Sequence, residues 1–222
     1  MKYILGIDDA GRGPIIGPMV IGGTIFKKED IDKLKKLGVK DSKMIVPKKR
    51  EFLSNEIKKI ALGYKAVKIT PLEIDNREEN GLNLNDLEAL KMAEAINELS
   101  KGLKDIDVII DCPSTNIEAW KLTLLRYIKE PAGKKFIVEH KADDKYVACS
   151  AASIIAKVVR DWEIEKIKEE INVDFGSGYP ADPQTVKFIN ERGHKYLKYH
   201  IIRESWQTWK NIMVKKNQKK LF

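Results

Sequence analysis

The fold is decided by one segment near the N-terminus, which reads Tyr3-Ile4-Leu5-Gly6-Ile7-Asp8-Asp9-Ala10-Gly11-Arg12-Gly13-Pro14. Its first residues form a short apolar run that is typical of a buried β-strand. The run stops at two adjacent carboxylates, Asp8 and Asp9, and two glycines then flank Arg12. Carboxylates can hold a metal ion, a backbone without side chains can approach a ligand closely, and a guanidinium suits phosphate. This combination indicates phosphodiester chemistry.

Composition limits the class of protein. A chain of 222 residues with 43% hydrophobic content can bury one large core. No apolar run approaches the ~20 residues that span a bilayer, and the N-terminal apolar run meets Asp8 too soon for a signal peptide. The only cysteines, Cys112 and Cys149, predict neither a disulfide framework nor a zinc site. We therefore expect a cytoplasmic protein without a membrane partner.

The charge balance favours a polyanionic partner. The formal net charge is +8 and the pI is about 9.2. Charged residues make up 33% of the chain, which fits the lysine and glutamate enrichment of heat-adapted proteins. Such proteins can be basic without binding an acidic partner. Basicity alone shifts the interpretation toward nucleic acid only modestly.

Hydrophobic periodicity predicts strands that alternate with helices, which indicates an α/β fold with a mixed sheet. After the first strand we expect strands at residues 19–26, 64–69, 108–111 and 136–139. Expected helices cover residues 29–37, 48–62, 71–76, 85 or 86 to 99, 114 or 115 to 129, 147–171, 183–192 and 203–220. The helix over 48–62 should turn Phe52, Leu53, Ile57 and Ile60 inward.

Acidic residues recur where strand-like segments meet loops. Asp8, Asp111 and Asp143 all occupy such positions, and ligands of α/β sheets gather at strand ends. Carboxylates packed together repel, and a divalent cation such as Mg²⁺ or Mn²⁺ removes that repulsion. For any one of these acids a helix cap or solvated turn is the commoner fate. On pattern alone the choice between Asp143 and Asp144 stays open.

The ordered motifs of the chain resemble those of type 2 ribonuclease H (ribonuclease HII), in their archaeal spelling. After residues 6–14, the matching segments follow in the expected order. They are Lys40-Asp41-Ser42-Lys43, Val108-Ile109-Ile110-Asp111, His140-Lys141-Ala142-Asp143-Asp144, residues 150–158, and Gly176-Ser177-Gly178-Tyr179-Pro180-Ala181-Asp182-Pro183. Several motifs in one order are far more specific than one motif alone.

The resemblance implies a ribonuclease H-like fold with a mixed central sheet flanked by helices. Residues 1–175 would form the catalytic domain, and residues 176–222 a helical C-terminal part packed on it. It implies an endoribonuclease that hydrolyses the RNA strand of RNA–DNA hybrids and cuts beside ribonucleotides embedded in duplex DNA. The expected ends are a 3′-hydroxyl and a 5′-phosphate, and the expected role lies in DNA replication and repair.

The resemblance also implies the site residues. Four carboxylates, Asp8, Asp9, Asp111 and Asp143, would bind two Mg²⁺ or Mn²⁺ ions and carry catalysis. The family keeps the interval between its last acid and the alanine-rich segment, which favours Asp143 over Asp144. Asp9 departs from the pattern, because the family has glutamate there. Asp9 keeps the charge but reaches about 1.5 Å less far.

The substrate-binding residues implied by the resemblance are Gly11, Arg12, Gly13, Lys43 and Tyr179. The glycine segment would sense 2′-hydroxyl groups through its backbone, and Tyr179 would lie against the sugar at an RNA–DNA junction. An ordinary glycine turn and a tyrosine that packs its own loop are the alternatives. Lys141 and Arg160 are expected either to contact phosphate or to support the residues of the site from behind. His140 and His194 lack a nucleophile arrangement and are not expected to act in catalysis.

The last residues, Gln218-Lys219-Lys220-Leu221-Phe222, have part of the spacing of sliding-clamp-binding peptides, and a frayed basic tail is the alternative. We expect a monomer with a weak clamp contact through this tail. Two rival functions remain from the sequence. One is a different metal-dependent nuclease such as a resolvase. The other is a non-catalytic hybrid-binding protein whose site Asp9 has silenced.

Overall fold

The structure is a computed structural model that describes residues 1–39 and 45–219, with side chains through residue 214. Among these residues the strands are β1 Tyr3–Ala10, β2 Met19–Lys27, β3 Gly63–Ile69, β4 Ile106–Asp111 and β5 Lys134–Glu139. The α-helices are α1 Ile31–Lys36, α2 Pro47–Ile60, α3 Pro71–Asp75, α4 Leu84–Leu99, α5 Ile117–Arg126, α6 Ala142–Lys145, α7 Val147–Ile171, α8 Pro183–Glu191 and α9 Gln207–Lys219. Short 3₁₀ helices precede α1 (Lys28–Asp30), follow α3 (Asn76–Asn80) and follow α8 (Gly193–Tyr199).

The strands form one mixed sheet in the order β3-β2-β1-β4-β5. β1 pairs antiparallel with β2 and parallel with β4, and β4 pairs parallel with β5. The predicted α/β class with a mixed sheet is confirmed. Because β1, β4 and β5 run in the same direction, their carboxyl ends meet at one edge of the sheet.

The two faces of the sheet bury different cores. Leu5 and Ile7 of β1 lie with the apolar residues of α4 and α5 in one cluster. On the opposite face α2 and α7 cover the sheet, and Leu53, Ile57 and Ile154 pack there. Residues on alternate positions of β1 therefore face different helices.

Helix α7 lies unusually close to β1 and β2 because glycines face it. A Cβ atom added at Gly6 would lie 2.1 Å from the carbonyl oxygen of Ala148. A Cβ at Gly22 would lie 2.2 Å from the carbonyl oxygen of Ala152. The small residues of the first half of α7 thus lie directly against the strand that carries Asp8.

The C-terminal residues pack on the segment that follows β1. Ile15 and Ile16 share an apolar cluster with Phe188, Ile202 and Trp209. Ile16 also forms an isolated antiparallel bridge with Ile202. The division into residues 1–175 and 176–222 stays a prediction. The cluster around Ile15 and Ile16 is the contact that would join these two parts.

Several expected details differ in the structure. Phe52 is exposed rather than buried, whereas Leu53 and Ile57 lie in the core. Asn83, not Asn85 or Asp86, caps α4, because its side chain accepts from the Asp86 N–H while Asp86 accepts from the Asn83 N–H. Asn116 caps α5 in place of Ser114 or Thr115.

Some expectations lie outside the described residues. These are the segment 40–43, which includes Lys43, and the side chains of the C-terminal residues from 215 onward. Within the described ranges, none of the helices has both the length and the apolar character that crossing a membrane requires.

Candidate active site

The first two candidate carboxylates point to opposite faces of β1. The β1–β2 pairing continues past Asp8 and Asp9 to Ala10, so the backbone stays extended through both acids. Asp8 follows Gly6 on the α7 face and is buried, with a hydrogen bond to the side chain of Ser153. Asp9 follows Leu5 and Ile7 on the α4 face. The Asp9 N–H donates to Asp8 Oδ1 over 2.7 Å, so the two residues are hydrogen-bonded although their side chains lie on opposite faces of β1.

The remaining two carboxylates lie at the same edge of the sheet. Asp111 ends β4, one residue beyond the last pair of the β1–β4 ladder, Ile7 with Ile110. Its Oδ1 accepts a 2.9 Å hydrogen bond from the Ala142 N–H, which fixes the start of α6 above β4. Asp143 follows at once and is buried, whereas Asp144 is exposed. The structure therefore turns Asp143, not Asp144, into the protein.

The electrostatics of Asp8 show that each of the other three acids acts on it. Burial raises the pKa of Asp8 well above its usual value, and the charge of Asp9 raises it further. The hydrogen bond with Ser153 lowers this pKa, while Asp111 and Asp143 raise it. Mutual repulsion of this kind is what a bound cation relieves.

The donor chemistry of these residues fits a hard divalent cation, because all four supply carboxylate oxygens at one sheet edge. As the side chains stand, however, residues 1–39 and 45–219 contain no group of three His, Cys, Asp or Glu that could hold one ion. Asp9, Asp111 and Asp143 each raise the pKa of Asp8, and the assignment of the metal ligands stays a prediction.

The glycine loop, residues Gly11–Gly13, follows β1 directly. Gly11 adopts a positive φ of 81°, and an added Cβ would lie 2.4 Å from the side chain of Arg160, so only glycine fits. Buried Arg203 holds the backbone, donating to the carbonyls of Gly11 (2.7 Å), Arg12 (2.8 Å) and Gly17 (3.0 Å). Burial, together with the charge of Arg160, lowers the pKa of Arg203 to about 9, which still leaves it charged at neutral pH.

Arg12 turns away from the carboxylates toward α4. Its Nε donates to both oxygens of Glu88, over 2.8 and 3.0 Å, and its Nη2 donates to Asn85 Oδ1 over 2.7 Å. The fork that sequence analysis assigned to phosphate is thus engaged within the protein. Burial, and next the charge of Asp9, raise the pKa of Glu88 to about 8, while Arg12 lowers it. Burial dominates because the carboxylate is fully enclosed whereas water screens the partly exposed Arg12.

Arg160 lies between Tyr179 and the glycine loop, because it contacts the Tyr179 ring and lies beside Gly11. The Arg160 guanidinium lies 4.9 Å from the Tyr179 ring centroid, and its Nη2 donates to the Ser177 carbonyl. Asp182 holds this loop by accepting from the N–H and hydroxyl of Ser177, which lower the pKa of Asp182 to about 2. Tyr179 is 40% exposed, so part of the residue stays accessible while its ring lies against Arg160.

The histidine and cysteine residues near the site are structural. His140 Nδ1 lies 3.1 Å from the Cys112 carbonyl oxygen. Cys149 is buried and its thiol donates to the Ile7 carbonyl, and burial raises its pKa well above the usual value. A thiol held neutral in this way is a poor nucleophile. Lys141 is exposed at the start of α6.

Three residues at the site were missed by sequence reasoning as partners of the loop: Glu88, Asn85 and Arg203. Glu88 carries no local signal, because a glutamate within an amphipathic helix normally faces solvent. Arg203 lies more than 180 residues from the carbonyls that it binds. Only the fold brings these residues together.

A mixed sheet with acidic residues gathered at one edge and helices on both faces is the architecture of ribonuclease H-like nucleases. A family model described as Ribonuclease HII matches residues 5–209. The Ribonuclease HII of Pyrococcus furiosus is 44% identical over 208 residues, which cover 93% of this chain and 89% of the relative.

Solved structures agree. The ribonuclease H2 of Pyrococcus horikoshii OT3 superposes with a TM-score of 0.82 at 39% identity, covering 95% of this chain and 96% of the other. A PCNA:RNase HII complex from Archaeoglobus fulgidus matches with a TM-score of 0.77 at 35% identity, covering 92% and 95%. The chain belongs to the ribonuclease HII family. It is a divalent-metal-dependent endonuclease that hydrolyses RNA in RNA–DNA hybrids.

Proposed function

We propose that this enzyme also cuts beside single ribonucleotides embedded in duplex DNA, with two metal ions bound by Asp8, Asp9, Asp111 and Asp143. The observation that carries the proposal is the meeting of three features at one edge of the sheet. These are Asp8 with the three acids that raise its pKa, the glycine loop that follows β1, and Tyr179, which Arg160 joins to that loop. The products would carry a 3′-hydroxyl and a 5′-phosphate.

The carboxylates would divide between two faces of β1. Asp111 and Asp143 act on Asp8 from the side of α6 and α7, while Asp9 lies toward α4. When bound, Mg²⁺ or Mn²⁺ ions would supply an activated water and stabilise the leaving oxygen. The protein's part is to hold its acids in place, which it does through Ser153 on Asp8 and the Ala142 N–H on Asp111.

The proposed role of Asp9 as a metal ligand depends on how far its side chain reaches. It is one methylene shorter than the glutamate usual at this position, and β1 keeps it on the opposite face from Asp8. A shorter side chain on that face reaches less far toward ions shared with Asp8. We therefore expect Asp9→Glu to retain activity and to raise it, with a larger gain in Mg²⁺ than in the less geometrically demanding Mn²⁺.

Recognition of the ribose would use the glycine loop and Tyr179. The loop is bare, so its backbone can approach a 2′-hydroxyl, which is what distinguishes RNA from DNA locally. The exposed face of Tyr179 can stack on the nucleotide at the junction. Lys43 stays a proposed phosphate contact, and the salt dependence of binding should be steep because phosphates supply most of the affinity.

The proposal includes a sliding-clamp contact through residues 218–222. The structural relative from Archaeoglobus fulgidus was solved as a PCNA:RNase HII complex. This chain retains a glutamine and an aliphatic residue at suitable spacing in its tail. Loss of clamp-stimulated cleavage on deletion of residues 218–222, with unchanged cleavage by the enzyme alone, is the expected result.

The decisive experiment uses three matched duplexes, one all-DNA, one with a single ribonucleotide and one RNA–DNA hybrid. We expect 5′-phosphate products from the last two and none from the first, with either ion. Cleavage of the all-DNA duplex would favour a resolvase-like nuclease. Cleavage of the hybrid alone would remove the embedded-ribonucleotide activity and leave the family activity intact.

A further inference from the structure

The glycine loop is anchored by a buried glutamate that sequence reasoning did not single out. We infer that Glu88 is a positioning residue for hydrolysis, which holds Arg12 against α4 and so fixes the loop beside the reacting phosphate. The inference rests on the proposed function in one respect, namely that the glycine loop contacts the ribose. Its test measures turnover of the RNA–DNA hybrid as well as of the single-ribonucleotide duplex.

The first support is the geometry of the anchor. Glu88 has no exposed surface, and both of its carboxylate oxygens accept from Arg12 Nε. Asn85, one turn earlier on the same side of α4, accepts from Arg12 Nη2. The backbone there is itself held, because Trp120 Nε1 donates to the Asn85 carbonyl over 3.1 Å. Arg12 is therefore bound to a fixed helical surface through the edge of its guanidinium that carries Nε and Nη2.

The second support is that the loop backbone is held from the other side. Arg203 donates to the carbonyls of Gly11 and Arg12, and Trp206 Nε1 donates to the Gly13 carbonyl over 3.3 Å. The C-terminal segment thus fixes the main chain, and α4 fixes the one side chain that the loop has. The contacts of Arg203 and Trp206 hold the loop carbonyls, and those of Glu88 and Asn85 hold the Arg12 side chain. Both sets are needed to fix the position and the orientation of the loop.

This arrangement gives Arg12 a role other than phosphate contact. A guanidinium that binds phosphate presents two parallel N–H groups to it. Here Nε and Nη2 both face protein acceptors. Recognition then goes through the loop backbone, and its precision depends on Glu88. A misplacement of about 1 Å near a reacting centre can cost about 100-fold in rate.

The test compares Glu88→Met, which removes both acceptor oxygens at similar length, with Glu88→Gln, which keeps one. Glu94→Met is the control, since Glu94 lies on the same helix but is 51% exposed and pairs only loosely with Lys91. We expect Glu88→Met to lower kcat at least about 10-fold on the hybrid and on the single-ribonucleotide duplex, with KM within about 2-fold. Glu88→Gln should recover most of kcat, and Glu94→Met should match wild type.

A second measurement separates anchoring from phosphate contact. Binding of the single-ribonucleotide duplex, without divalent cation, is followed against salt for wild type and Arg12→Met. An anchor leaves the slope of log K against log salt unchanged, whereas loss of one phosphate contact reduces it by about 0.9. Unchanged slope with a kcat loss like that of Glu88→Met is the expected result.

The inference is overturned by a reduced salt slope in Arg12→Met, or by a folded Glu88→Met enzyme with normal kcat. A rise in KM at constant kcat also overturns it. If Glu88→Met does not fold by circular dichroism, Arg12→Met takes its place, and normal turnover of that variant overturns the inference. Failure of wild type to cut the single-ribonucleotide duplex would count against the proposed function alone, because the hybrid still reports on Glu88.

Discussion

The close approach of α7 to β1 makes a sharp prediction for Gly6→Ala. The added Cβ would lie 2.1 Å from the Ala148 carbonyl oxygen and 2.5 Å from the Cys149 nitrogen. An ordinary carbon–oxygen contact is about 3.3 Å, so the helix must withdraw by about 1 Å. The clashing atoms belong to backbone and cannot rotate away. Withdrawal also strains the hydrogen bonds from Thr24 to Ala148 and from Cys149 to Ile7.

The expected cost follows from these contacts. Overpacking a tight core costs about 1–3 kcal/mol, and a backbone clash belongs at the upper end. For a chain of this size about 3 kcal/mol corresponds to a Tm lower by roughly 6–12 °C. Turnover should fall as well, because Ser153 on α7 would move away from Asp8.

The assay is thermal and urea unfolding of Gly6→Ala beside Gly13→Ala. Gly13 serves as the stability control because an added Cβ there meets nothing within 4 Å. Gly13→Ala should leave Tm unchanged or raise it slightly. A Gly6→Ala protein that melts within about 2 °C of wild type would refute the reasoning that the glycine sets the spacing of helix and sheet.

The other predictions concern chemistry and pH. Asp111→Asn should lower turnover more than about 100-fold while Tm changes little, since an amide oxygen can still accept from the Ala142 N–H; near-normal rates would remove Asp111 from the metal site. Tyr179→Ala should lose junction cutting about 10-fold, and Tyr179→Phe, which keeps the ring on Arg160, should not; equal loss on every substrate would contradict a reading role. Because the folded protein raises the pKa of Glu88 from 4.5 to about 8, the stability that this group contributes is present below pH 4.5 and is lost as pH rises through 8. When the pH is raised from 5 to 8.5, the free energy of urea unfolding should therefore fall more for wild type than for Glu88→Gln. An equal change in the two proteins would refute the raised pKa of Glu88.

The sequence by itself determined most of the secondary structure, because local periodicity and punctuation suffice there. Helix α7 begins and ends as predicted, since an apolar run rich in small residues passes into a charged amphipathic stretch without a break. Asp111 was predicted at a strand end because an acid directly after three β-branched residues must leave the buried run. The predicted N-cap of α4 was wrong. Asn83 and Asn85 carry the same side chain two positions apart, so the local sequence does not distinguish which of them caps the helix.

The ordered motifs also determined the family, since each motif combines residues that are close along the chain. Tertiary structure alone decided how the glycine loop is held. Arg12 meets Glu88 across 76 positions and Arg203 meets Gly11 across 192 positions. No local pattern encodes such pairs, because a buried charge acquires its partner only when the sheet and the C-terminal segment pack together. The alternation of β1 likewise places Asp8 and Asp9 on opposite faces, but the helices that those faces meet, α7 and α4, follow from the topology of the whole sheet.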